Sequence, residues 1–445
     1  MNKELSNFAA HLRATISVGD DVRSLTSTCG KNNEPPNVGS YDINFDELAL
    51  ELFSLQFAHN SAYRKICEAR KLTPEVVEHW SQIPFVPTSA FKELELTSLT
   101  SVQRTSVFHS SGTTEQKPSR HFHSAESLEL YKASLWTWFQ TSVHNCRLSI
   151  ADCRFQGLVC LTPRPEETPH SSLVHMFETV RQRLGAPESA FVGQLDADGA
   201  WALDFGAVLD LLNPRPQTQD PGSQAPDPRA FLLVGTAFSF VHLVDYLAEK
   251  DLRLQLSNGS RVMETGGYKN RSRTMPKTEL HALITEYLGV PAEDIICEYG
   301  MSELSSQAYD SNLEKTSNHR DSVLECGPDK SGPLSNMTGT LKAPEDWRTP
   351  QPRGSMQPAH GKGASSHQPR IFHFPAWARV QIISPETGRE VAEGETGLIR
   401  IFDLANVFSV AAIQTEDLAI RRGDGFELIG RAKLAEARGC SLMTA

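Results

Sequence analysis

The 445-residue sequence lacks a hydrophobic run long enough to cross a bilayer. Its longest apolar stretch, 231–244, is too short for a membrane span and is interrupted by Gly235, Thr236, Ser239 and His242. The N-terminal residues contain no apolar core of a secretory signal. Positive charge is also scarce, with 43 Lys and Arg against 54 Asp and Glu, which argues against a protein that tracks a nucleic-acid backbone. We therefore expect a cytoplasmic protein with no membrane span and no nucleic-acid partner.

Several common sequence motifs are also absent. The eight cysteines form no CxxC pair, which argues against a structural zinc site. The sequence contains no GxxxxGK[ST] phosphate loop, no GxGxxG segment after a strand and no GxSxG nucleophile elbow. Any nucleotide site must therefore be built from a different set of residues.

Helical and strand patterns alternate along the chain, which predicts an α/β protein with mixed sheets and helices. Helices are predicted over 45–70, from the capping residue Ser124 onward, and from Pro276 to a stop at Gly289. Short apolar strands are predicted at 157–162, 231–235, 295–297, 378–384 and 397–403. Residues 1–84 are expected to form a mostly helical region, 85–432 the main domain and 433–445 a C-terminal tail.

Two segments interrupt this alternation. Residues 213–229 are rich in Pro, Gln and Asp, which predicts a flexible surface loop. Residues 312–368 have almost no apolar periodicity and cannot bury enough apolar surface to offset the entropy of ordering. We expect this longer segment to be a disordered insertion within one fold.

A hydroxyl-rich segment lies between candidate strands at 106–109 and 120–123. Its residues are Ser110, Ser111, Gly112, Thr113 and Thr114. At the tip of a hairpin, these hydroxyls and backbone N–H groups suit a loop around phosphate oxygens, and Lys117 or Arg120 would supply positive charge. Runs of Ser, Thr and Gly are equally typical of flexible turns, so this segment alone leaves both interpretations open.

Further candidates follow predicted strands. Tyr299 and Gly300 offer a flat ring and an approachable backbone, and Glu303 offers a carboxylate for a hard cation. Gly266 and Gly267 would let a planar ring approach the end of another strand. Asp417 is placed to accept both hydroxyls of a ribose. Each of these residues, taken alone, is more often an ordinary loop residue.

The order of these segments resembles the adenylate-forming superfamily of acyl-CoA synthetases and related ligases. More narrowly, the chain resembles the acyl-protein synthetase family of the bacterial luminescence system. Six blocks carry the resemblance in one order: SSGTT with PSRH, GTAFSFVHLVD (235–245), ETGGYKNRSR (264–273), EYGMSELSSQAYD (298–310), QTEDL (414–418) and GRAKLAEARGCSL (430–442).

The resemblance implies a reaction in two halves with ATP and Mg²⁺ as cofactors. A fatty or other carboxylic acid would be converted to an acyl-adenylate, and the acyl group would pass to a cysteine thiol and then to a partner acyl reductase. Cys440, six residues from the C-terminus, matches the acylated cysteine of the family.

The resemblance also implies a role for each candidate residue. Residues 110–114 would hold the β- and γ-phosphates. Lys117 is a catalytic candidate from its charge beside this segment and not from the resemblance. Gly266, Gly267 and Tyr299 would contact adenine, with Gly300 in the same turn. Ser302 and Glu303 would serve the α-phosphate and Mg²⁺. Asp417 would bind ribose, and Arg431 would lie near phosphate or ribose.

Two departures from the family pattern stand out. Glu115 replaces the glycine usual after the two threonines, which adds a side chain and a negative charge beside the triphosphate. Only 14 residues follow Arg431. We therefore expect the N-terminal-type domain of an adenylate-forming enzyme without the full mobile C-terminal domain, which carries a catalytic lysine in the superfamily. Lys433 is a poor substitute for that lysine. An acyl- or aryl-CoA ligase resembling phenylacetate–CoA ligase, and a non-catalytic nucleotide- or acyl-binding scaffold, remain alternatives.

Overall fold

The computed structural model of the chain describes residues 2–26, 43–110, 117–144, 155–196, 201–212, 230–267, 272–310 and 369–432. The predicted loop at 213–229, the predicted insertion at 312–368 and the tail at 433–445 lie outside these ranges. All of the helices and strands named below belong to one unit, formed by residues 1–311 and 370–445.

Helices and strands alternate, as the sequence predicts. The helices are α1 Lys3–Thr26, α2 Phe45–His59, α3 Ser61–Ala69, α4 Ala90–Glu93, α5 Ala125–His144, α6 Ser172–Leu184, α7 Phe205–Leu212, α8 Ala237–Glu249 and α9 Lys277–Leu288. The strands are β1 Val86–Pro87, β2 Ser106–His109, β3 Arg120–His123, β4 Gly157–Cys160, β5 Ala190–Phe191, β6 Gly193–Leu195, β7 Trp201–Leu203, β8 Phe231–Thr236, β9 Arg261–Thr265, β10 Ile295–Tyr299, β11 Ala308–Tyr309, β12 Ala378–Ile383, β13 Thr396–Asp403, β14 Ala412–Arg422 and β15 Gly425–Arg431. The α/β class is confirmed.

A largely parallel sheet forms one half of the site. Its described strands follow the order β11-β10-β9-β8-β4-β5, and β11 alone among them runs antiparallel to its neighbour. β8, β9 and β10 are buried along their whole length, and β9 and β10 also carry the buried polar side chains Glu264 and Glu298. The carboxyl ends of β8, β9 and β10 meet at one edge, where ligands bind in open α/β sheets.

An antiparallel sheet forms the other half. β12, β13, β14 and β15 pair in sequence order, and the short β1 adds to β14 in parallel. The pairing of β14 with β15 sets Asp417 directly opposite Arg431. Two residues that the sequence separates are therefore neighbours in this sheet.

The predicted hairpin is present with the predicted bounds. β2 and β3 pair antiparallel, with Ser106 opposite His123 and His109 opposite Arg120. The intervening Ser111, Gly112, Thr113 and Thr114 lie outside the described residues.

The helix predicted over 45–70 is two helices in the structure, because Asn60 interrupts it. The Asn60 backbone is extended (φ −110°, ψ 97°), and its side-chain oxygen accepts a hydrogen bond from the N–H of Tyr63 at 3.1 Å. Asn60 is therefore the N-cap of α3. The predicted ends elsewhere are confirmed: α5 begins just after Ser124, and α9 stops at Gly289, whose φ of 72° favours glycine.

No helix within the described part of the chain combines the length and apolarity that a membrane crossing requires.

Candidate nucleotide site between the two sheets

Tyr299 and Asp417 link the two sheets. The hydroxyl of Tyr299, the last residue of β10, donates a hydrogen bond to Asp417 Oδ2 in β14 at 2.9 Å. Burial raises the pKa of Tyr299 well above its usual value, and the neighbouring Asp417 carboxylate adds to the shift. Burial also raises the pKa of Asp417, against the opposing effects of the Tyr299 hydroxyl and Arg431. The two sequence candidates for adenine and ribose are thus in direct contact.

Phenylalanines surround the ring of Tyr299 on the side of the antiparallel sheet. The ring centroids of Phe372, Phe374 and Phe426 lie 6.3, 6.4 and 5.4 Å from that of Tyr299, each approaching edge to face. This packing fixes the plane of the Tyr299 ring. A rigid aromatic plane at a sheet edge is suited to receive a planar base.

The glycine pair lies on the neighbouring strand. Thr265 pairs with Glu298, so Gly266 follows β9 beside Tyr299. Gly266 has φ +70°, in the region that favours glycine, and a side chain added there would meet no described atom within 4 Å. The requirement for glycine at this position therefore comes from the backbone conformation.

Glu303 is a buried carboxylate in the turn after β10. Oε1 accepts a hydrogen bond from Ser119 Oγ at 2.5 Å, and Oε2 accepts one from Ser302 Oγ at 3.0 Å. Burial raises the pKa of Glu303, and the Ser119 hydrogen bond acts in the opposite direction. The backbone oxygen of Glu303 accepts from Asn406 Nδ2 at 2.8 Å, so the turn is fixed to the antiparallel sheet as well. The side-chain groups in contact with the Glu303 carboxylate are hydroxyls, and oxygen ligands suit a hard cation.

The hairpin meets this turn at its base. His121 Nδ1 donates to the backbone oxygen of Ser302 at 2.7 Å. Burial lowers the pKa of His121 to about 4, so its ring is neutral at physiological pH. Of the predicted phosphate-loop residues, Ser110 is described, and it lies at the hairpin base against Ser119.

Lys117 stands apart from this group. Its side chain is half exposed, and Nζ forms an ion pair with Glu93 at 3.4 Å. Arg431 likewise has an exposed side chain, with Nη2 3.5 Å from Glu416 Oε2. The roles predicted for Lys117 and Arg431 remain predictions. Cys440 lies outside the described residues.

The sequence did not identify Asp403 as part of this region. Asp403, at the end of β13, is fully buried and accepts hydrogen bonds from the N–H groups of Ser305 and Ser306 at 2.9 and 2.8 Å. The hydroxyl of Ser306 donates to its other oxygen at 2.7 Å. Burial raises the pKa of Asp403 to about 6. Asp403 therefore anchors the segment that follows Glu303, a role that no local sequence signal indicates.

Glu298 was inside a predicted motif but received no role. It is buried beside Tyr299, and the hydroxyl of Thr265 donates to Oε2. Burial raises the pKa of Glu298 to about 7. A large fraction of this carboxyl is therefore neutral at physiological pH.

A second polar cluster lies beneath the glycine pair. Glu264 Oε1 accepts from Lys277 Nζ at 2.6 Å and from Cys297 Sγ at 2.9 Å, and His281 Nε2 lies 3.5 Å away. Burial opposes ionisation of Glu264, yet Lys277 and the surrounding hydrogen bonds hold its pKa at about 2. These three ligand types suit a transition metal, but the Lys277 ammonium already balances the carboxylate. The cluster anchors α9 to β9 and β10.

The fold is that of the adenylate-forming ligases. One similar structure is 2-hydroxyisobutyryl-CoA ligase in an open conformation with 2-HIB-AMP and CoA, at 12% identity and a TM-score of 0.54, covering 91% of this chain and 75% of that chain. The same ligase in the postadenylation state with 2-HIB-AMP has 12% identity and a TM-score of 0.53, covering 91% and 73%. The ATP-bound RpMatB-BxBclM chimera B3 has 12% identity and a TM-score of 0.41, covering 73% of this chain and 47% of that chain, so this chain spans about half its length.

The family comparison is narrower. The family described as "Acyl-protein synthetase, LuxE" matches residues 41–124, which include the hairpin and Ser119. No curated protein matches the chain. The resemblance to acyl-protein synthetases that the sequence indicates is therefore confirmed by the family match over residues 41–124, and the fold is similar to that of a solved acyl-CoA ligase.

Proposed function

We propose that this protein is an ATP-dependent acyl-adenylating enzyme. It joins a carboxylic acid, a fatty acid by the family resemblance, to AMP; the acyl group then passes to the thiol of Cys440 and on to a partner acyl reductase. The observation that carries this proposal is the 2.9 Å hydrogen bond between Tyr299 and Asp417. This hydrogen bond sets the Tyr299 ring and the Asp417 carboxylate side by side at the sheet edge. Tyr299 lies four residues before Glu303 in the sequence.

An adenosine fits the chemistry of this edge. The buried Tyr299 ring is held rigidly at the strand end, and the neighbouring Gly266 backbone leaves space free of a side chain in which adenine would lie beside it. An ionised carboxylate accepts up to about four hydrogen bonds, so Asp417 can receive the Tyr299 hydroxyl and both ribose hydroxyls.

The residues around Glu303 fit Mg²⁺. Glu303, Ser119 and Ser302 provide oxygen ligands and hydrogen bonds, and hard cations prefer oxygen. Glu303 would hold the ion, with the predicted loop 110–114 around the terminal phosphates. When bound, Mg²⁺ supplies positive charge against the charge that develops on the triphosphate.

The first half-reaction brings two anions together. A carboxylate oxygen of the acid attacks the α-phosphorus, the bond from that phosphorus to the bridging oxygen of the β-phosphate breaks, and pyrophosphate leaves. The chain must orient both reactants and keep donors at the α-phosphate, where stabilising one developing charge is worth roughly 10²–10³ in rate. Ser302 would serve this task, and the contacts of His121 and Asn406 with the turn after β10 support the proposal because they hold that turn in place.

The second half-reaction uses a thiol. The Cys440 thiolate attacks the acyl carbon, the carbon–oxygen bond to AMP breaks, and AMP leaves with that oxygen. A thiolate is a better nucleophile than a hydroxyl toward the mixed anhydride of an acyl-adenylate. Coenzyme A is the alternative acceptor, and a structure with this fold was solved with CoA and an acyl-AMP.

Labelling with radioactive fatty acid and ATP tests the acceptor. Cys440→Ser is expected to keep acid-dependent pyrophosphate exchange and to lose stable, hydroxylamine-sensitive labelling of the protein. Cys160→Ser removes a buried, unreactive thiol and serves as the control. If Cys440→Ser is labelled as strongly as the wild type, the nucleophile lies elsewhere; thioester formation only with added coenzyme A would establish the CoA-ligase alternative.

A further inference from the structure

Strand β3 and Ser119, the residue just before it, carry a row of buried polar side chains. Ser119, His121 and His123 are 1%, 2% and 1% exposed, whereas the alternating Arg120 and Phe122 are more exposed. Alternation in an extended chain places the first three on one face. A buried polar face must meet hydrogen-bonding partners, since unsatisfied polar groups are costly.

Two of these side chains meet the same turn. Ser119 Oγ donates to Glu303 Oε1 at 2.5 Å, and His121 Nδ1 donates to the Ser302 carbonyl at 2.7 Å. The contacts join segments more than 180 positions apart in the sequence. The hairpin and the carboxylate turn are therefore fixed to each other by side chains from one strand face.

Ser119 also closes the base of the hairpin. Its N–H donates to Ser110 Oγ at 3.0 Å, and the N–H of Ser110 donates to the Ser119 carbonyl at 3.4 Å. Ser110 is the first residue of the segment predicted to wrap phosphate. Ser119 thus contacts both the start of that segment and the carboxylate proposed to hold the metal.

Each carboxylate oxygen of Glu303 accepts a hydrogen bond from one hydroxyl. Ser119 serves Oε1 and Ser302 serves Oε2. Because each carboxylate oxygen has two lone pairs, this arrangement orients the group and still leaves acceptor sites for a cation. Ser302 lies in the same turn as Glu303. Of these two serines, only Ser119 connects the Glu303 carboxylate to the hairpin.

We infer that Ser119 is a positioning residue for adenylation: its hydroxyl aims the Glu303 carboxylate and sets it at a fixed place relative to the base of the phosphate-binding segment. This inference rests on the proposed function. Loss of the hydroxyl weakens metal use by the enzyme and leaves binding of the carboxylic acid almost unchanged.

The test measures acid-dependent pyrophosphate exchange across a range of Mg²⁺ concentrations. Ser119→Ala is expected to raise the Mg²⁺ concentration for half-maximal exchange roughly tenfold, the scale of one hydrogen bond to a charged group, with little change in KM for the acid. Ser119→Thr retains a hydroxyl and is expected to restore much of the loss. Ser189→Ala is the matched control, because its hydroxyl contacts backbone groups beside β5, at the far edge of the parallel sheet.

A double variant separates positioning from general damage. In the Glu303→Gln background, Ser119→Ala is expected to add almost nothing, because the Ser119 hydroxyl then orients an uncharged amide that does not hold the cation. Effects that multiply would overturn the inference, as would a wild-type Mg²⁺ dependence in Ser119→Ala.

Binding of Mn²⁺ tests the role of Ser119 separately from the proposed adenylation. If the wild type shows no exchange with any acid, the proposed function fails, and Ser119 is then judged by binding of Mn²⁺ in the presence of ATP, measured by electron paramagnetic resonance. Weaker Mn²⁺ binding in Ser119→Ala than in the wild type and Ser189→Ala would support its positioning role. Equal binding in all three proteins would overturn it.

Discussion

The hydroxyl of Tyr299 donates to the carboxylate of Asp417 at 2.9 Å across 118 positions of sequence. This hydrogen bond joins β10 of the parallel sheet to β14 of the antiparallel sheet. Because Tyr299 is also packed against Phe426, the position of the Asp417 carboxylate is tied to a rigid aromatic plane. The groups proposed to bind adenine and ribose are therefore held together before any ligand arrives.

Asp417→Asn is expected to weaken ATP binding by roughly 10- to 100-fold, the scale of losing hydrogen bonds to a charged acceptor. Tyr299→Phe keeps the ring and is expected to change ATP binding only severalfold. Titration calorimetry with ATP measures both. Wild-type ATP affinity in Asp417→Asn would remove Asp417 from the ribose role.

Glu303→Gln is expected to lower acid-dependent pyrophosphate exchange by about 10²–10³-fold, the scale of one transition-state stabiliser. The amide still accepts from Ser119 but cannot neutralise a cation. Glu93→Gln alters an exposed carboxylate in the ion pair with Lys117 and should leave exchange within about twofold of the wild type. Near-normal exchange in Glu303→Gln would exclude Glu303 as the metal ligand.

Glu298→Gln is expected to change how stability depends on pH. The folded-state pKa of Glu298 is about 7, above its ordinary value of 4.5, so between these pH values the folded chain holds a proton that the unfolded chain has lost. Stability of the wild type therefore falls as pH rises through this window, by up to roughly 3 kcal/mol from this group. The glutamine amide at position 298 does not titrate, so the variant does not lose stability in this way. The free energy of unfolding of Glu298→Gln minus that of the wild type should therefore increase from about pH 5 to about pH 8. Urea unfolding at both pH values measures the difference, and parallel pH dependence in the two proteins would contradict the expectation.

Asp403→Ala is expected to destabilise the fold by about 3 kcal/mol or more, because it leaves several buried donors without their acceptor. The N–H groups of Ser305 and Ser306 lose their partner, so the turn after Glu303 should loosen. Asp204→Ala, which removes a half-exposed cap from the N–H of Ala207, should cost only about 1 kcal/mol. Equal losses in the two variants, measured by denaturant unfolding, would show that Asp403 has no special structural role.

The local signals in the sequence predicted the hairpin strands and the ends of α9, because turn chemistry and alternation are properties of a few consecutive residues. The prediction that Tyr299 and Asp417 serve one ligand came from the family resemblance, since only tertiary structure brings these residues into contact. The break at Asn60 was missed, since the apolar spacing continues across it and the side-chain cap decides the boundary. Asp403 was missed because its partners lie about a hundred positions away.

Acid-dependent exchange of pyrophosphate into ATP, screened over a panel of carboxylic acids, measures the proposed adenylation itself. Exchange is expected to require both a fatty or related acid and a divalent cation, and to fall about 10²–10³-fold in Glu303→Gln. A folded protein that binds ATP but gives no exchange with any acid would rule out adenylation and would identify a nucleotide-binding scaffold.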